Sequence, residues 1–257
     1  MVRIVLLDLL VEREAFGHGG NIEVLTPFTE RHNDVECLLL TPQMEAPGAR
    51  KEGCITLTED DVPRWDDEYP FWSEKTESLP AGKVHFRRIC MPTSSSFESL
   101  QADAIICSGS RRNVSMWEPW MDGCAEILCW AIEEDIPTLG ICFGHQLLAA
   151  ALGGKVTRAE KYMDIVSDLD HHASDVVVST CGVGLFTHQD HVTTLPENVT
   201  HLASAGHCGY AAFRVNNRRA WGVQFHPEAA RARIERSFNL GHITAEELAA
   251  FQRDHDG

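Results

Sequence analysis

The stretch PTLGICFGHQLLAAALGG, residues 137–154, holds a short apolar run, a turn and a helical pattern in immediate succession. Residues 136–141 are typical of a buried strand, and residues 144–152 are typical of a helix that a pair of glycines ends. Only Cys142 and Phe143 are left to make the turn between them. The stretch therefore predicts one strand–turn–helix step of an α/β fold.

The same alternation continues towards the start of the chain. Near-continuous apolar runs of strand length lie at residues 2–7, 35–40 and 104–107, as expected for parallel strands that are covered on both faces. Helical patterns lie between them at residues 20–31 and 121–134. We therefore expect an α/β sheet of at least four strands.

Two segments stand apart from this alternation. Residues 41–101 carry six prolines and little periodicity, so they are interpreted as an insertion: an active-site lid, a partner-docking arm or plain surface elaboration. Because this insertion begins directly after the carboxyl end of a strand, where ligands of such sheets bind, we expect the insertion to cover the active-site mouth or a partner surface. Near the other end of the chain, Thr244 and Glu247 form a capping-box pattern that predicts a final helix.

The position of Cys142 suits a nucleophile. Gly140 and Gly144 bracket it and allow the strand and the helix to approach closely, which holds the cysteine side chain in a strained, outward-pointing position. The free N–H groups and the dipole of a helix N-terminus favour the thiolate, which is the nucleophilic form of cysteine. Alone, this pattern leaves open an inert packed thiol, because cysteine is among the most buried residue types.

A second pattern, WGVQFHPE at residues 221–228, supplies a base. Pro227 keeps His226 out of the helical conformation, and extended geometry sends the side chains of His226 and Glu228 to the same side of the chain. The carboxylate can then hold an imidazole that takes a proton from Cys142. The two patterns together predict a nucleophile, a general base and an orienting acid.

Charge and cysteine usage restrict the partners and the compartment. The chain has 38 acidic and 22 basic residues, a net charge of -16, which repels phosphate backbones and anionic lipid surfaces. We therefore expect no nucleic acid and no membrane partner; the apolar start of the chain is interrupted by Asp8 and is too short to span a bilayer. Nine cysteines without a C-x-x-C pair predict reduced thiols in the cytoplasm rather than a disulfide framework.

Thirteen histidines include the pair His171 and His172 and the closely spaced His188 and His191. Such groups can ligate a metal ion, but clustered surface histidines are commoner than metal sites. The sequence therefore predicts no metal ligands and no cofactor.

Four blocks of sequence resemble the class I (triad) glutamine amidotransferase domain, particularly its stand-alone and GMP-synthase-like members. These blocks are AIICSGS with WEPW (104–110 and 117–120), PTLGICFGHQLLAAALGGKV (137–156), THQDHVTTLP (187–196) and WGVQFHPE (221–228). Their order and spacing cover most of residues 100–230. The resemblance implies one domain over residues 1–257 with an insertion at about 41–100, built as a flavodoxin-like, doubly wound, mostly parallel sheet with helices on both faces.

The resemblance also implies the chemistry. Cys142 would attack the side-chain amide carbon of glutamine, with His226 as general base and Glu228 as its orienter, and water would hydrolyse the γ-glutamyl thioester. The N–H groups of Phe143 and of the Gly109-Ser110 turn would form the oxyanion hole. A further group is implied to face the head group of the substrate: Gln146, Gln189 and Asp190.

This chain departs from the family pattern near the expected site. Relatives usually have a Gly-Gly-Pro turn where this chain has Gly109-Ser110-Arg111, which keeps a backbone donor and adds a charge near the mouth. Residues 162–165 lack a glycine that relatives often carry, and Gln189 stands where a small residue is common.

Three functions remain open at this point. A glutaminase subunit would pass ammonia to a separate synthase, because no second catalytic domain is encoded in these residues. A self-sufficient γ-glutamyl peptidase or hydrolase would use the same triad with a larger leaving group. A catalytically silent binding or regulatory module would keep only the fold.

Overall fold

The computed structural model describes residues 1–9, 23–42, 84–229 and 231–254. Its strands are β1 (Val2–Leu7), β2 (Val35–Thr41), β3 (Val84–Cys90), β4 (Ala104–Cys107), β5 (Thr138–Ile141), β6 (Lys155–Asp168), β7 (Asp170–His171), β8 (Val183–Thr194), β9 (Val199–Ala205), β10 (Cys208–Val215) and β11 (Ala220–Val223). Its α-helices are α1 (Thr26–Arg31), α2 (Trp120–Glu133), α3 (Phe143–Ala151), α4 (Arg231–Asn239) and α5 (Ala245–Asp254), and short 3-10 helices occupy Ser94–Leu100 and Val114–Met116. Among the helices of these ranges, none is both long and apolar enough to cross a membrane.

The main sheet joins nine of these strands in the order β3-β2-β1-β4-β5-β11-β10-β9-β7. The first six strands in this order run parallel to one another. The remaining three, β10, β9 and β7, continue the sheet in antiparallel fashion. The two long strands β6 and β8 pair with each other as a separate antiparallel sheet. The predicted mostly parallel α/β architecture is confirmed.

Helices cover both faces of the main sheet. Side chains of β1 alternate between two cores: Ile4 and Leu6 pack on one face, and Val5 and Leu7 pack on the other. The second core also receives the apolar side chains of α2 and α3, while Phe28 of α1 packs against the first. A strand buried on both faces has to be apolar at nearly every position, which is why VRIVLL is an almost continuous apolar run.

The final helix begins as the capping-box pattern predicts. The backbone N–H of Thr244 donates to Oε2 of Glu247 at 2.7 Å, and the N–H of Glu247 donates to Oγ1 of Thr244 at 3.2 Å. Two N–H groups at the helix start, which have no partner inside the helix, are thus satisfied by side chains. Phe251 of this helix is buried in a third core, which also contains residues of β6 and β8.

Residues 41–101, interpreted from the sequence as an insertion with little periodicity, contain a strand that the sequence did not predict, β3. β3 pairs in parallel with β2 at the edge of the main sheet. Its His85 and Arg87 are exposed, and Arg87 forms an ion pair with Glu36 at 3.3 Å. Charged side chains are usual on edge strands, and here they conceal the apolar pattern. Most of the predicted insertion, residues 43–83, lies outside the described residues, as does the start of the helix predicted at 20–31.

Candidate active site

Three neighbouring parallel strands bring the site together at their carboxyl ends. β5 lies between β4 and β11. Cys142 follows β5 directly, and its backbone N–H donates to the carbonyl of Val223 in β11 at 2.8 Å. Residues 108–110 follow β4, and His226 lies shortly after β11. Ligands of open α/β sheets bind at this edge, so the fold delivers all three segments to one place.

The turn at Cys142 has the geometry of a nucleophile elbow. Cys142 has φ 52° and ψ −101°, a conformation that strains a residue with a side chain, and α3 begins at the next residue. A Cβ added to Gly140 would lie 2.5 Å from the carbonyl oxygen of Gly144, and one added to Gly144 would overlap the carbonyl oxygen of Cys107. The two glycines are therefore required by the close approach of β4, β5 and α3.

The structure brings Cys142, His226 and Glu228 together. Nδ1 of His226 lies 2.7 Å from Oε1 of Glu228, and both side chains are almost completely buried. The ring of His226 also interacts with Cys142, whose Sγ lies 3.7 Å from the backbone carbonyl oxygen of Thr187. The arrangement places a thiol, an imidazole and a carboxylate in the order that a cysteine hydrolase requires.

The electrostatics of this group favour a charged imidazole. Burial by itself lowers the pKa of His226, but the charges of Glu228 and Cys142, together with hydrogen bonds to both, raise the pKa to about 9. At neutral pH the ring therefore carries a proton, and its positive charge lies beside the sulfur. A protonated imidazole can serve as the acid that a leaving amine needs.

Thr187 belongs to the site, although sequence reasoning assigned it no role. Its Oγ1 lies 2.9 Å from Nε2 of His226, and its backbone carbonyl accepts from Cys142. The residue is buried in β8 and thus belongs to the smaller sheet. Its place in the THQDHVTTLP block was the one available signal, since nothing in the spacing links it to a histidine 39 residues later.

The segments predicted to form the oxyanion hole lie next to the triad. A Cβ added to Gly109 would lie 3.3 Å from Cε1 of His226 and 4.0 Å from Cβ of Cys142, so the turn faces the reacting groups. Oγ of Ser110 donates to the carbonyl of Leu9 at 3.2 Å, which fixes the turn against the end of β1. Phe143 is the first residue of α3, where a backbone N–H has no partner within the helix.

Two of the predicted substrate-binding residues are engaged with other parts of the chain. Nε2 of Gln146 donates to the carbonyl of Asp190 at 2.8 Å and to Oε1 of Gln224 at 3.0 Å. The carboxylate of Asp190 accepts from the backbone N–H of Ser115 at 2.7 Å and from its hydroxyl at 2.9 Å. These contacts fasten α3 and the 3-10 helix Val114–Met116 to β8. The contact of Gln146 and Asp190 with a substrate stays a prediction.

Gln189, the third predicted substrate-binding residue, joins β8 to β6. Its Oε1 accepts from Nη2 of Arg158 at 2.7 Å, and its Nε2 donates to the carbonyl of Ala159 at 2.9 Å. Nη1 of Arg158 also lies 3.8 Å from Sδ of Met116, next to the segment that Asp190 holds. The side chains of Arg158 and Gln189 thus link β6 and β8 to the 3-10 helix Val114–Met116.

The other thiols differ from Cys142. The described ranges hold eight cysteines, of which Cys107, Cys124, Cys129, Cys142 and Cys208 are free thiols. Burial raises the pKa of Cys107 and of Cys124, which keeps both thiols neutral, and burial raises the pKa of Cys208 to about 12. Among these eight, Cys142 is the residue at the strained turn beside an imidazole and a carboxylate.

Comparison with known proteins agrees with this geometry. The family model described as "Glutamine amidotransferase class-I" matches residues 81–238, which include the elbow, the turn after β4 and the HPE segment. The chain belongs to this family.

Its curated relatives include components of a biosynthetic enzyme. One subunit of a glutamine-hydrolyzing GMP synthase, from Methanosphaera stadtmanae, is 36% identical over 108 residues, covering 41% of this chain and 56% of the relative. The protein of the same name from Natronomonas pharaonis is 32% identical over 137 residues, covering 52% of this chain and 70% of the relative. The chain thus spans little more than half the length of the first of these relatives.

Solved structures agree on the fold. A glutamine amidotransferase of Thermotoga maritima aligns with a TM-score of 0.51 at 18% identity, covering 81% of this chain and 83% of that one. The class I amidotransferase architecture, flavodoxin-like and doubly wound, is therefore the fold of this chain.

Proposed function

We propose that this protein is a glutamine amidohydrolase that works through a thioester on Cys142 and supplies ammonia to a separate synthase. The observation that carries the proposal is the elbow cysteine beside His226, whose far nitrogen is held 2.7 Å from Glu228. A cysteine at a strained turn, next to an oriented imidazole, is the arrangement of an acyl-transfer nucleophile.

In the first half of the reaction the proton of the Cys142 thiol passes to His226, and the thiolate sulfur attacks the amide carbon of the glutamine side chain. The carbon–sulfur bond forms and the carbonyl electrons move onto the oxygen. Protonated His226 then gives its proton to the amide nitrogen, the carbon–nitrogen bond breaks, and ammonia leaves behind a γ-glutamyl thioester. The raised pKa of His226, about 9, suits this step because the ring arrives already charged.

In the second half the neutral imidazole of His226 takes a proton from water, and the hydroxyl attacks the thioester carbon. Collapse of this intermediate expels the sulfur and releases glutamate, while His226 keeps the proton for the next cycle. Glu228 holds the ring throughout and stabilises its charged form.

Both tetrahedral intermediates carry a negative oxygen. In the proposal, the N–H of Phe143 and an N–H of the Gly109-Ser110 turn receive it, and each such donor contributes about 3 kcal/mol in comparable sites. The closeness of Gly109 to both Cys142 and His226 supports this assignment.

The separate synthase is inferred from the relatives. Proteins named as one subunit of a glutamine-hydrolyzing GMP synthase match this chain at 36% and 32% identity. An enzyme component that releases ammonia gains from passing it directly to a second component, so we infer a docked partner. The free thiols of Cys107, Cys124, Cys129, Cys142 and Cys208 support the cytoplasm as the place of action.

The test is the release of glutamate by the purified chain, measured as kcat/KM for glutamine and for a panel of γ-glutamyl peptides and amines. We expect slow turnover of glutamine that Cys142→Ala abolishes and that the matched variant Cys129→Ser, a partly buried thiol on α2, leaves intact. We also expect an alkylating glutamine analogue to label Cys142.

Faster turnover of γ-glutamyl peptides than of glutamine would replace the proposal with a stand-alone peptidase, because a pocket built for a larger leaving group gains transition-state binding from that group. If no substrate yields glutamate and the glutamine analogue does not label Cys142, the result supports a catalytically silent binding or regulatory module instead.

A further inference from the structure

We propose that His188, His191 and Cys208 form a binding site for a thiophilic divalent cation, with Zn²⁺ as the best match. His188 and His191 lie on β8, and Cys208 is the first residue of β10. The site uses none of the triad residues, although Cys208 and His188 lie close enough to interact electrostatically with Cys142 and His226, and it goes beyond the proposed glutaminase activity.

The three side chains offer ligand atoms at close range. Two imidazole nitrogens and one sulfur all lie within 4.8 Å of one another. A tetrahedral zinc ion with bonds of about 2.0–2.3 Å holds its ligand atoms about 3.3–3.8 Å apart, so each pair has to close by no more than about 1.5 Å. Rotation about side-chain bonds supplies a change of this size. The mixed nitrogen and sulfur set is also the one that zinc prefers.

The tautomer of His188 is fixed in the form that a metal requires. Its Nδ1 lies 2.9 Å from the backbone carbonyl of Asp190, and since a carbonyl only accepts, Nδ1 has to carry the proton. Nε2 therefore presents a lone pair, and this buried atom has no hydrogen-bond partner within the described part of the chain. A histidine that donates through one nitrogen to a carbonyl and offers the other is the usual arrangement of a metal ligand.

The burial of His188 makes the lone pair of its Nε2 an indication of a ligand-binding site. The residue is only 4% exposed, so water does not satisfy Nε2 as it would on a surface histidine. The sequence-based expectation of no metal ligands rested on surface histidines, and the structure places His188 in the interior instead. Cys208 is 1% exposed and faces the same cluster from the neighbouring sheet.

His207 borders this cluster and offers a fourth nitrogen. Its ring centre lies 5.7 Å from that of His188 and 6.5 Å from that of His191. Both of its ring nitrogens are buried and have no hydrogen-bond partner among the described residues. Three ligands from the tight group and one from His207 would close a tetrahedral site.

On metal binding the thiol of Cys208 would release its proton to the solvent and ligate as the thiolate, while the imidazoles would ligate in their neutral form.

The experiment is titration of the chelator-treated full chain with Co²⁺, followed by competition with Zn²⁺. We expect one equivalent of Co²⁺ to bind and to show the strong visible bands of a tetrahedral ion together with a sulfur-to-cobalt charge-transfer band. Cys208→Ser should lose the charge-transfer band, and His191→Ala should weaken binding at least tenfold. His191 is partly exposed, so this second variant keeps the test valid if Cys208→Ser fails to fold.

Two controls separate this site from the triad. Cys142→Ala should bind Co²⁺ as the unmodified chain does, and Cys129→Ser should leave both bands unchanged. The proposal is overturned if the unmodified chain binds no stoichiometric Co²⁺. It is equally overturned if Cys142→Ala abolishes the charge-transfer band while Cys208→Ser retains it, because the ion would then lie on the nucleophile.

Discussion

The hydroxyl of Thr187 lies 2.9 Å from Nε2 of His226, while the other ring nitrogen lies 2.7 Å from Glu228. The imidazole therefore has a fixed contact on each side. The carboxylate of Glu228 stabilises its charged form, and the hydroxyl of Thr187 fixes the orientation of the ring. A hydrogen bond of this kind contributes about 1 kcal/mol.

We expect Thr187→Val to lower kcat/KM for glutamine about five- to tenfold, mainly through kcat, because the ring loses one of its two fixed contacts while the shape of the residue is kept. Steady-state kinetics of glutamate release measures this effect. Thr193→Val is the matched control, since Thr193 lies on the same strand and pairs with Thr157. Unchanged kcat in Thr187→Val would remove the hydroxyl from the mechanism.

Glu228→Gln should shift the pH profile as well as lower the rate. The pKa of His226, about 9, is raised above the ordinary 6.5 chiefly by Glu228 acting against burial, so loss of that charge lowers it. The protonated ring is lost as pH rises through its pKa, and the basic limb of kcat/KM should therefore move from near pH 9 down by at least one pH unit. A basic limb that stays in place in the variant would show that another group controls it.

His226→Ala should abolish turnover, whereas His188→Ala should leave a measurable part of it. Of these two histidines, His226 has a carboxylate on its far nitrogen, while Nδ1 of His188 faces a backbone carbonyl. Glutamate release by the two variants at equal concentration makes the comparison. The opposite ranking would move the base to His188.

Asp190 and Ser115 should act as a pair. The carboxylate accepts two hydrogen bonds from Ser115, at 2.7 and 2.9 Å, and so holds the 3-10 helix against β8. We expect Asp190→Ala and Ser115→Ala each to raise KM for glutamine, and the double variant to cost about 1 kcal/mol less than the sum. Additive effects would instead indicate that Asp190 acts on the substrate without Ser115.

Acid should destabilise the fold through His145. Burial lowers the pKa of this histidine to about 4, below its unfolded value of 6.5, so its contribution to stability is present above pH 6.5 and is lost as pH falls towards 4. The free energy of unfolding, measured by urea denaturation, should fall between pH 7 and pH 5 by about 2 kcal/mol less in His145→Leu than in the unmodified chain. His32→Gln, at an exposed position, is the control. An equal loss in His145→Leu would contradict the prediction.

The features that the sequence predicts correctly are those that depend on residues close together in the chain. The elbow depends on Gly140 and Gly144, which stand within two positions of Cys142, and the capping box depends on a spacing of three. The sequence did not predict β3, because an edge strand exposes charged side chains such as Arg87 and so lacks a continuous apolar pattern. The spacing of residues along the chain did not predict the Thr187 contact or the approach of Cys208 to His188, because each joins segments that only sheet packing brings together.

The nucleophile and the contacts that fix its base belong to different sheets. Cys142 follows a strand of the main sheet, whereas the backbone N–H of His226 donates at 2.9 Å to Leu185, and its ring contacts Thr187, both in the two-stranded sheet. A small shear between the two sheets would thus change the distance between thiol and imidazole without disturbing either secondary structure. A protein that binds β6 and β8 and shifts them relative to the main sheet would therefore change turnover through the position of His226.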